Sequence, residues 1–488
     1  MDETLFDDIL CEIFTRLPSS SSSIKSVPLV SKRWLRLYRA SKTSMSLHFN
    51  RHENSVITLL PSIFHNHPCL SSLSLVFTVK NPYYNPLLSG DEVMKAESIF
   101  NDELISIISS CCFNLRKLSF LINPISLSSL LRLSTSLSLL TSLSIKLYKP
   151  QNSDFSWIAL FRSLKELSID VWSIKTSTFE SGSNPNPEVV ELGLESVSLS
   201  GIQSDETGVS WLWRSCRKLK KLSLKSCGTI GEIEFFGLCL KNLEEIELRT
   251  CRSIVDLVLL KVSEICESLK SLLIHDGGNK DGLVHFMNNA RCNDTLKRLD
   301  LRLPMDLTDD HLLALASNFK SLSSLTLTSC IFVTGLSLKA LSLSFSSSLE
   351  ELSLLKCDAV EREPGLLATL GQHLGRLRKL ELPYNEWLFD KEVVSMLASC
   401  NGLVELNLRG CKNLSGSVLV AVNKNCVKLK TLDIVSCRLI QADEVEDFVM
   451  KSSHWLKKLV LEENQITEAM MKLASSKLIE TVVFESLV

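Results

Sequence analysis

The sequence predicts an α/β solenoid in which one strand and one helix alternate along most of the chain. The nine-residue figure Leu-x-x-Leu-x-Leu-x-x-Cys, clearest at residues 219–227, returns about every 26 residues until the chain ends. Its Leu-x-Leu core alternates apolar and polar residues, which is typical of a strand with one buried face. The stretches between copies, such as 309–318 and 418–425, space their apolar residues as a helix does.

The copies of this figure predict a leucine-rich-repeat solenoid over residues 111–488. They begin at Leu70, Leu115, Leu140, Leu164, Val189, Leu219, Leu243, Leu269, Leu296, Leu322, Leu349, Leu377, Leu403, Leu429, Leu456 and, in a worn copy, Leu478. Parallel strands stack about 4.8 Å apart, whereas packed helices need about 8–10 Å. We therefore expect a horseshoe with a parallel sheet on its concave side and helices outside.

Residues 46–110 are an irregular entrance to this array, comprising a linker, the first repeat and an inserted loop. The loop, at about 80–97, contains Asn-Pro-Tyr-Tyr-Asn-Pro and Ser-Gly-Asp, both typical of turns. Long loops in compact folds are commonly functional or disordered, which makes this one a candidate substrate or cofactor loop. Two shorter turn-rich insertions, 181–187 and 276–282, are either flexible decoration or binding elements.

The sixteen cysteines occupy fixed places in the repeat. One set stands at the ninth position, where other copies have Asn123, Asn385 or Asn464; it comprises Cys227, Cys251, Cys330, Cys357, Cys411 and Cys437. A residue that exchanges with Asn is expected to be buried at a turn, with its side chain contacting backbone groups. A second set precedes the first Leu of a repeat and comprises Cys111, Cys216, Cys266, Cys400 and Cys426. We therefore predict reduced thiols in the cytoplasm or nucleus and no disulfide framework.

Several classes of protein are disfavoured by composition and motifs. The net charge of -2 provides no electrostatic argument for nucleic acid or an anionic membrane. The start of the chain lacks a secretory signal, and serines and Arg132 interrupt the most apolar window, 121–147. No catalytic motif is found, and the only histidine cluster, His48, His52, His65 and His67, is a weak metal candidate. We expect neither catalysis nor a cofactor.

Residues 1–45 do not follow the repeat and read as two short helices. The first has apolar residues at helical spacing, Leu5, Ile9, Leu10, Ile13, Phe14 and Leu17, with acidic residues near its start and Pro18 just beyond it. A second apolar set includes Val30 and Trp34, with a helix predicted over 31–40. Because about 45 residues bury little surface alone, these helices must pack on something else.

This segment resembles the F-box, the helical module that docks on a Skp-type adaptor of cullin-based ubiquitin ligases. The matching stretches are Asp-Asp-Ile-Leu at 7–10, Ile-Phe-x-x-Leu-Pro at 13–18 and Leu-Val-Ser-Lys-Arg-Trp at 29–34. The resemblance implies apolar adaptor contacts at Leu5, Ile9, Leu10, Ile13, Phe14, Leu17, Val30 and Trp34. The alternative is an amino-terminal cap that seals the first repeat with the same residues.

A basic groove is the candidate target site on the repeats. Side chains at the third, fifth and seventh positions of the figure share the open face of the sheet. Basic members in the middle repeats are Lys221, Lys225, Arg249, His275, Arg298 and Arg302. They could converge on an acidic or phosphorylated segment. In the alternative interpretation, Glu245, Glu247 and Asp300 compensate these charges on a solvated face.

The whole arrangement resembles the plant-type F-box and leucine-rich-repeat proteins with Cys-containing repeats. That likeness implies a non-catalytic substrate receptor of an SCF-type ubiquitin ligase in the nucleus or cytoplasm. Its partners would be a Skp-like adaptor, a cullin reached through it, and an unknown target protein. Two alternatives stay open: a repeat scaffold with no ligase role, and a small-molecule-dependent receptor similar to the plant auxin and jasmonate receptors.

Overall fold

The computed structural model describes residues 5–17, 22–49, 54–77, 90–148, 155–172, 189–203, 207–277, 280–302, 307–452 and 455–485. The chain divides into two compact units. The first comprises Met1–Leu222 and Thr229–Cys239, and the second comprises Ser223–Gly228 and Leu240–Val488.

Three helices open the first unit: α1 (Asp7–Arg16), α2 (Ser22–Val30) and α3 (Lys32–Ser41). Asp7 and Asp8 lie in the first turn of α1, where negative charge complements the helix dipole. The Ser31 hydroxyl accepts a hydrogen bond from the Trp34 amide at 3.1 Å and so caps α3. The sequence predicted only two helices because the serine run at 19–23 breaks the helical pattern. Pro28 lies inside α2, where it costs the helix one hydrogen bond.

The strands of the first unit are parallel, and neighbouring strands pair residue by residue except for one register shift between Phe120 and Ile125. They are β1 (Ser44–Phe49), β2 (Ser72–Phe77), β3 (Lys117–Ile125), β4 (Ser142–Tyr148), β5 (Glu166–Trp172) and β6 (Ser196–Ser200). The helices are α4 (Leu60–His65), α5 (Gly90–Cys111), α6 (Leu127–Ser136), α7 (Thr207–Ser215) and α8 (Ile233–Cys239), with 3-10 turns at Asn54–Leu59 and Ser156–Leu160. Strand β1 was not predicted, and it adds a repeat-like strand before Leu70. Strand β7 (Lys221–Lys225) begins in this unit and ends in the second.

The second unit continues the same alternation. Its strands are β8 (Glu245–Arg249), β9 (Ser271–His275), β10 (Arg298–Arg302), β11 (Ser324–Thr328), β12 (Glu351–Leu355), β13 (Lys379–Glu381), β14 (Glu405–Asn407), β15 (Thr431–Asp433), β16 (Lys458–Glu462) and β17 (Glu480–Phe484). Its helices are α9 (Val255–Ile265), α10 (Lys280–Asn289), α11 (Asp309–Asn318), α12 (Gly335–Ser344), α13 (Asp358–Arg362), α14 (Leu366–His373), α15 (Asp390–Leu397), α16 (Ser417–Asn425), α17 (Ala442–Lys451) and α18 (Glu468–Ser476), with a 3-10 turn at Glu463–Gln465. The described pairings between these strands are parallel.

Burial along most strands follows the repeat figure, whereas three consecutive residues are buried in β12 and four in β16. In β10, Leu299 and Leu301 are buried, whereas Arg298, Asp300 and Arg302 point to the open face of the sheet. The leucines at the fourth and sixth positions therefore form the core between sheet and helices. Strands and helices also occur where the figure predicts them, as for α11 and α16. The predicted α/β leucine-rich-repeat solenoid is confirmed as the fold class.

Three local predictions need correction or fall outside the described residues. The repeat placed at Val189 begins at Leu194 instead, because Leu194 is buried and leads into β6, whereas Val189 is exposed. The loop placed at 80–97 is helical from Gly90, where α5 begins. Acidic residues are favourable in the first turn of a helix. The Gly-Asp-Glu at 90–92, which was interpreted as part of a loop, is therefore also compatible with the start of a helix. Residues 78–89 and the insertion 181–187 lie outside the described part of the chain.

The third turn-rich insertion, 276–282, is shorter than predicted. Asp276 has a left-handed φ of 61° directly after β9, and α10 already begins at Lys280. Residues 278–279 lie outside the described ranges. Among the described helices, none has the length and apolar character needed to cross a membrane.

Candidate functional site

The three amino-terminal helices close a hydrophobic core of their own. Leu10 and Phe14 of α1 are buried against Val27 of α2 and Leu37 of α3. Partly buried side chains surround this cluster: Cys11, Leu17, Trp34 and Tyr38. The Phe14 ring lies 5.4 Å from that of Trp34 and 6.1 Å from that of Tyr38, between centroids. Aromatic contacts of this kind add to the stability provided by burial alone.

A second set of apolar side chains on these helices faces solvent. We call it the N-terminal apolar patch, and it consists of Leu5, Phe6, Ile9, Ile13, Leu29 and Val30, all exposed. Ile9 and Ile13 lie four residues apart on α1 and so form one stripe, and Leu5 lies two residues before this helix begins. Leu29 and Val30 end α2. An apolar surface of this kind on a small module commonly marks a binding site for another protein.

Arg33 connects the two halves of the patch. Its Nη2 donates to the Asp7 carboxylate at 2.6 Å and to the Leu5 carbonyl at 2.7 Å, and its Nε donates to Asp7 at 2.9 Å. The first turn of α3 is thereby tied to the beginning of α1. Because Leu29 and Val30 immediately precede α3, the same contacts position them relative to Leu5.

The predicted adaptor residues divide between the two faces of α1 and its neighbours. Leu5, Ile9, Ile13 and Val30 are exposed, as a contact surface requires. Leu10 and Phe14 are buried in the core of the module, and Leu17 and Trp34 pack against that core. These four residues therefore support the module from inside in this structure. Both sets fit a period of 3.6 residues, so the sequence alone could not distinguish the inner stripe from the outer one.

Two exposed residues of the patch were missed. Phe6 stands directly before α1 and was not among the apolar residues assigned to the predicted helix, and Leu29 lies in the unpredicted α2. A signal for Leu29 was present, since Val27 and Val30 flank it in an apolar run. Without α2, however, nothing indicated which side of that run faces solvent.

The ninth position of the repeat has the role that the sequence predicted. Thiols there donate to the backbone carbonyl of the sixth-position Leu of the preceding repeat, as Cys411 does to Leu382 at 3.0 Å and Cys437 to Leu408 at 3.1 Å. Burial raises the pKa of Cys411 to about 12, so this thiol is neutral. All sixteen cysteines are described, and all are free thiols.

One member of the predicted ninth-position set is wrong. Asn464 is exposed, and the neighbouring Gln465 is buried in its place. Gln465 Nε2 donates to the Cys437 carbonyl at 3.2 Å, and its Oε1 accepts from the Glu462 amide at 3.0 Å. The 3-10 turn Glu463–Gln465 shifts the inward-facing position by one residue.

Three candidate basic residues of the second unit lie at equivalent positions on neighbouring strands, and two of them form ion pairs with acidic side chains. Arg249, His275 and Arg302 lie side by side on β8, β9 and β10. Arg249 forms an ion pair with Glu247. Arg302 pairs with Asp300 at 2.7 Å, and this hydrogen bonding raises the pKa of Arg302.

The other three candidate basic residues are exposed to solvent. Arg298 and Lys225 are exposed in the second unit, and Lys221 is exposed in the first. The pairing within β8 and β10 favours a solvated, charge-balanced face, as the alternative interpretation stated. A basic groove for an acidic target therefore stays a prediction.

The histidine cluster offers no metal site in the part of the chain that the structure describes. The His67 ring nitrogen Nδ1 lies 2.7 Å from the Ile63 carbonyl, and burial lowers the pKa of His67. His48 Nε2 lies 3.3 Å from the Ser46 hydroxyl, and His52 falls outside the described residues. No group of three or more His, Cys, Asp or Glu residues with metal-binding geometry occurs among the described side chains.

Comparison with known proteins assigns no family to the chain. No protein family model matches the sequence. A chain in the crystal structure of the Rad7 and Elc1 complex in yeast is similar at 17% identity and a TM-score of 0.42, covering 56% of this chain and 77% of that one. A chain in the crystal structure of a TLR13–ssRNA13 complex is similar at 17% identity and a TM-score of 0.45, covering 93% of this chain and 54% of that one. Likenesses at this level carry no argument about function.

Proposed function

We propose that this chain is the substrate-recognition subunit of an SCF-type ubiquitin ligase, of the plant F-box and leucine-rich-repeat kind. In this proposal the N-terminal apolar patch binds a Skp-type adaptor and, through it, a cullin. The repeats hold a target protein. The chain is non-catalytic and contributes proximity, because fixing the target beside the ubiquitin donor raises its effective concentration. The nucleus or cytoplasm is the expected location.

The observation that carries the proposal is the division of α1 into two apolar faces. One face, with Leu10 and Phe14, completes the core of the helical module. The other, with Ile9 and Ile13, remains exposed, as does Leu5 just before the helix. Apolar area left in water forgoes about 25 cal/mol per Å² of stabilisation. A partner that covers this stripe recovers that free energy, and the F-box resemblance of residues 5–34 names an adaptor as the partner.

The competing interpretation is a helical cap on a scaffold with no ligase role. A cap would turn its outer stripe onto the first repeat and leave its apolar residues buried there. Exposure of Ile9 and Ile13 favours a partner instead. A scaffold whose patch binds some other protein is the second candidate, and it differs from the first only in the identity of that protein.

Binding of a purified Skp-type adaptor to the full chain, measured by calorimetry, tests the proposal. Ile13 and Leu131 are both 44% exposed, so Ile13→Asp and Leu131→Asp introduce the same charge at equally exposed sites. Ile13→Asp should weaken adaptor binding at least about tenfold, since a charge in an apolar contact is desolvated without a partner. Leu131→Asp on α6 should leave it unchanged. Thermal unfolding followed by circular dichroism checks that both variants fold.

The proposal fails if the wild-type chain does not bind the adaptor at micromolar concentrations. It also fails if Ile13→Asp binds as tightly as the wild type. Equal losses in Ile13→Asp and Leu131→Asp would indicate general destabilisation, and the adaptor contact would then have to be placed elsewhere.

A further inference from the structure

Two exposed apolar clusters lie at one edge of the second unit, where strands lead into helices. The first follows β11 and consists of Ile331, Phe332 and Leu336. The second follows β13 and consists of Trp387 and Phe389. We call these five residues the rim patch. None of them contributes to the core of its repeat, which Val333 and Leu388 fill at the neighbouring positions.

An acidic helix lies between the two clusters. Helix α13 follows β12, the strand that pairs with both β11 and β13. Glu361 Oε1 accepts from the Trp387 amide at 3.1 Å, and Glu363 Oε1 accepts from the Gly335 amide, beside Leu336, at 2.6 Å. The carboxylates of the middle repeat therefore reach both apolar clusters.

Charge around the clusters is predominantly negative. Residues 356–365 and 383–392 contain six acidic residues, Asp358, Glu361, Glu363, Glu386, Asp390 and Glu392. The same stretches contain three basic residues, Lys356, Arg362 and Lys391. Arg362 pairs with Asp358 at 3.0 Å, and Lys412 pairs with Glu386 at 2.8 Å. Outside these pairs the two stretches keep four acidic residues, Glu361, Glu363, Asp390 and Glu392, against the basic residues Lys356 and Lys391. Residues 329–336 carry no charge. A cation approaching between the clusters is thus attracted to the acidic surface.

The spacing of the clusters limits what can bind both. The clusters are separated by one intervening repeat and lie between the strands and the helices. Two repeats span about 10 Å at the strands and about 16–20 Å at the helices. An extended chain advances about 3.3 Å per residue. Two apolar side chains about three to six residues apart on an extended segment would therefore reach both clusters at once.

We propose that the rim patch binds an extended protein segment with two apolar side chains about three to six residues apart and a Lys or Arg between them. Aromatic anchors such as Trp387 dominate binding energy at protein interfaces, and the carboxylates of Glu361 and Glu363 provide selectivity for the basic residue. If the chain is a ligase receptor, this segment is the recognition element of its target. That role rests on the proposed function, whereas binding of the segment does not.

Selection of random peptides displayed on phage, with the full chain immobilised, tests the proposal. The wild type should enrich peptides that contain the apolar–basic–apolar pattern. One synthetic peptide of the enriched sequence should then bind Trp387→Ala with Phe389→Ala at least about tenfold more weakly than the wild type. Leu343→Ala with Val420→Ala is the matched control, because Val420 is 64% exposed and Trp387 67%, and both control residues lie on helices of the same unit. This control should bind like the wild type.

The double variant Glu361→Gln with Glu363→Gln tests how much the negative charge of these two side chains contributes to peptide binding. Glutamine keeps an oxygen that can accept from the Trp387 and Gly335 amides but has no charge. The expected result is several-fold weaker binding and loss of the preference for Lys or Arg. The proposal is overturned if enriched peptides lack a basic residue, or if the Trp387 and Phe389 variant selects the same peptides with equal affinity. Self-association in sedimentation that this variant abolishes would also overturn it, since a second copy would then occupy the patch.

Adaptor affinity is measured in parallel for each rim variant and should not change. Peptide binding without adaptor binding would support the rim patch and overturn the ligase proposal alone. Adaptor binding without selection of such peptides would support the ligase proposal and overturn the rim patch.

Discussion

The side-chain amide of Asn385 accepts a hydrogen bond from the Cys357 backbone amide at 2.9 Å, joining two successive repeats. Its Nδ2 also donates to the carbonyls of Leu354 at 2.8 Å and Leu382 at 2.9 Å. Cys411, at the same position one repeat later, donates to the Leu382 carbonyl at 3.0 Å. A buried Asn and a buried Cys thus satisfy equivalent backbone groups, which explains why they exchange at the ninth position.

Asn385→Ala should lower the free energy of unfolding by about 2–4 kcal/mol, because it leaves buried backbone donors and acceptors unpaired. Asn385→Cys should lower it by less than half as much, since a thiol can donate to the same carbonyls. Urea unfolding followed by circular dichroism measures both changes.

Asn464 and Gln465 provide the control for this prediction. Asn464→Ala should change stability by no more than about 0.5 kcal/mol, because Asn464 is exposed. Gln465→Ala should be destabilising, since Gln465 is buried and bonded to Cys437. Equal effects of Asn385→Ala and Asn464→Ala would contradict the assigned role of the ninth position.

The repeat was predictable because the alternation of side chains along a strand determines both its periodicity and its buried positions. A leucine at the fourth or sixth position can be buried only if the strand alternates, so the pattern reports both strand and core. The prediction was wrong where a local turn overrides the period, as at Gln465. It was also wrong where an apolar residue matched the pattern outside a strand, as at Val189, which is replaced by Leu194.

The candidate site was less predictable than the fold. Apolar residues on α1 were identified, but which of them face inward depends on α2, which the sequence did not predict. The charges of Arg249 and Arg302 were visible in sequence, whereas their pairing with Glu247 and Asp300 depends on side-chain conformation. The rim patch was not identified, because exposed aromatics after a strand look like core residues of the following helix.

Gly410 occupies the eighth position of its repeat, where the backbone is left-handed. Its φ is 73°, and residues at the same position in other repeats also have positive φ, including Ser436 at 59°. A Cβ added to Gly410 would lie 2.5 Å from Cδ1 of Tyr384, far closer than van der Waals contact allows. Gly410→Ala should therefore lower the free energy of unfolding by about 1–3 kcal/mol, from backbone strain and displacement of the ring.

Ser436→Ala is the control, because it alters neither the backbone class nor a ring contact, and it should have an effect below about 0.5 kcal/mol. Tyr384→Ala in the Gly410→Ala background should recover the part of the loss that comes from the ring. Urea unfolding of Gly410→Ala, Tyr384→Ala and the double variant, with Ser436→Ala as the control, measures this coupling. A loss that is the same with and without the tyrosine ring would show that the contact has no energetic role.

Buried thiols should make the protein less stable at alkaline pH. Burial raises the pKa of Cys216 to about 12, whereas an unfolded cysteine titrates near about 8.5. The folded state therefore favours the protonated thiol. Its contribution to stability is fully present below about pH 8.5 and is lost progressively as pH rises toward the folded pKa. The free energy of unfolding should fall between about pH 9 and pH 11.

Cys216→Ala should reduce this fall by up to about 1.4 kcal/mol per pH unit. Cys69→Ala should not, since Cys69 is exposed. Urea titrations at several pH values give the slopes, and the difference between variant and wild type removes the titration of lysines and tyrosines. Identical slopes for wild type and Cys216→Ala would contradict the prediction.

The Arg33 contacts should matter more for adaptor binding than for folding. The Arg33–Asp7 ion pair is partly exposed, and such pairs contribute only about 0–1 kcal/mol to stability. Without Arg33, however, Leu5 and the start of α1 are no longer held relative to Val30. Arg33→Ala should leave the melting temperature nearly unchanged and weaken binding of the Skp-type adaptor several-fold. Arg33→Lys should be intermediate, because one ammonium group cannot reproduce the planar fork that contacts Asp7 and the Leu5 carbonyl together.

Arg16→Ala is the matched control for that experiment. Arg16 pairs with Glu12 at 2.6 Å on the same helix, so its removal deletes an ion pair without loosening α1 from α3. Calorimetry with the adaptor should distinguish the two variants, with Arg16→Ala close to wild type. If both bind equally well, the patch does not depend on Arg33 for its geometry. If both lose affinity equally, general electrostatic attraction of the adaptor, rather than positioning of Leu5, explains the role of Arg33.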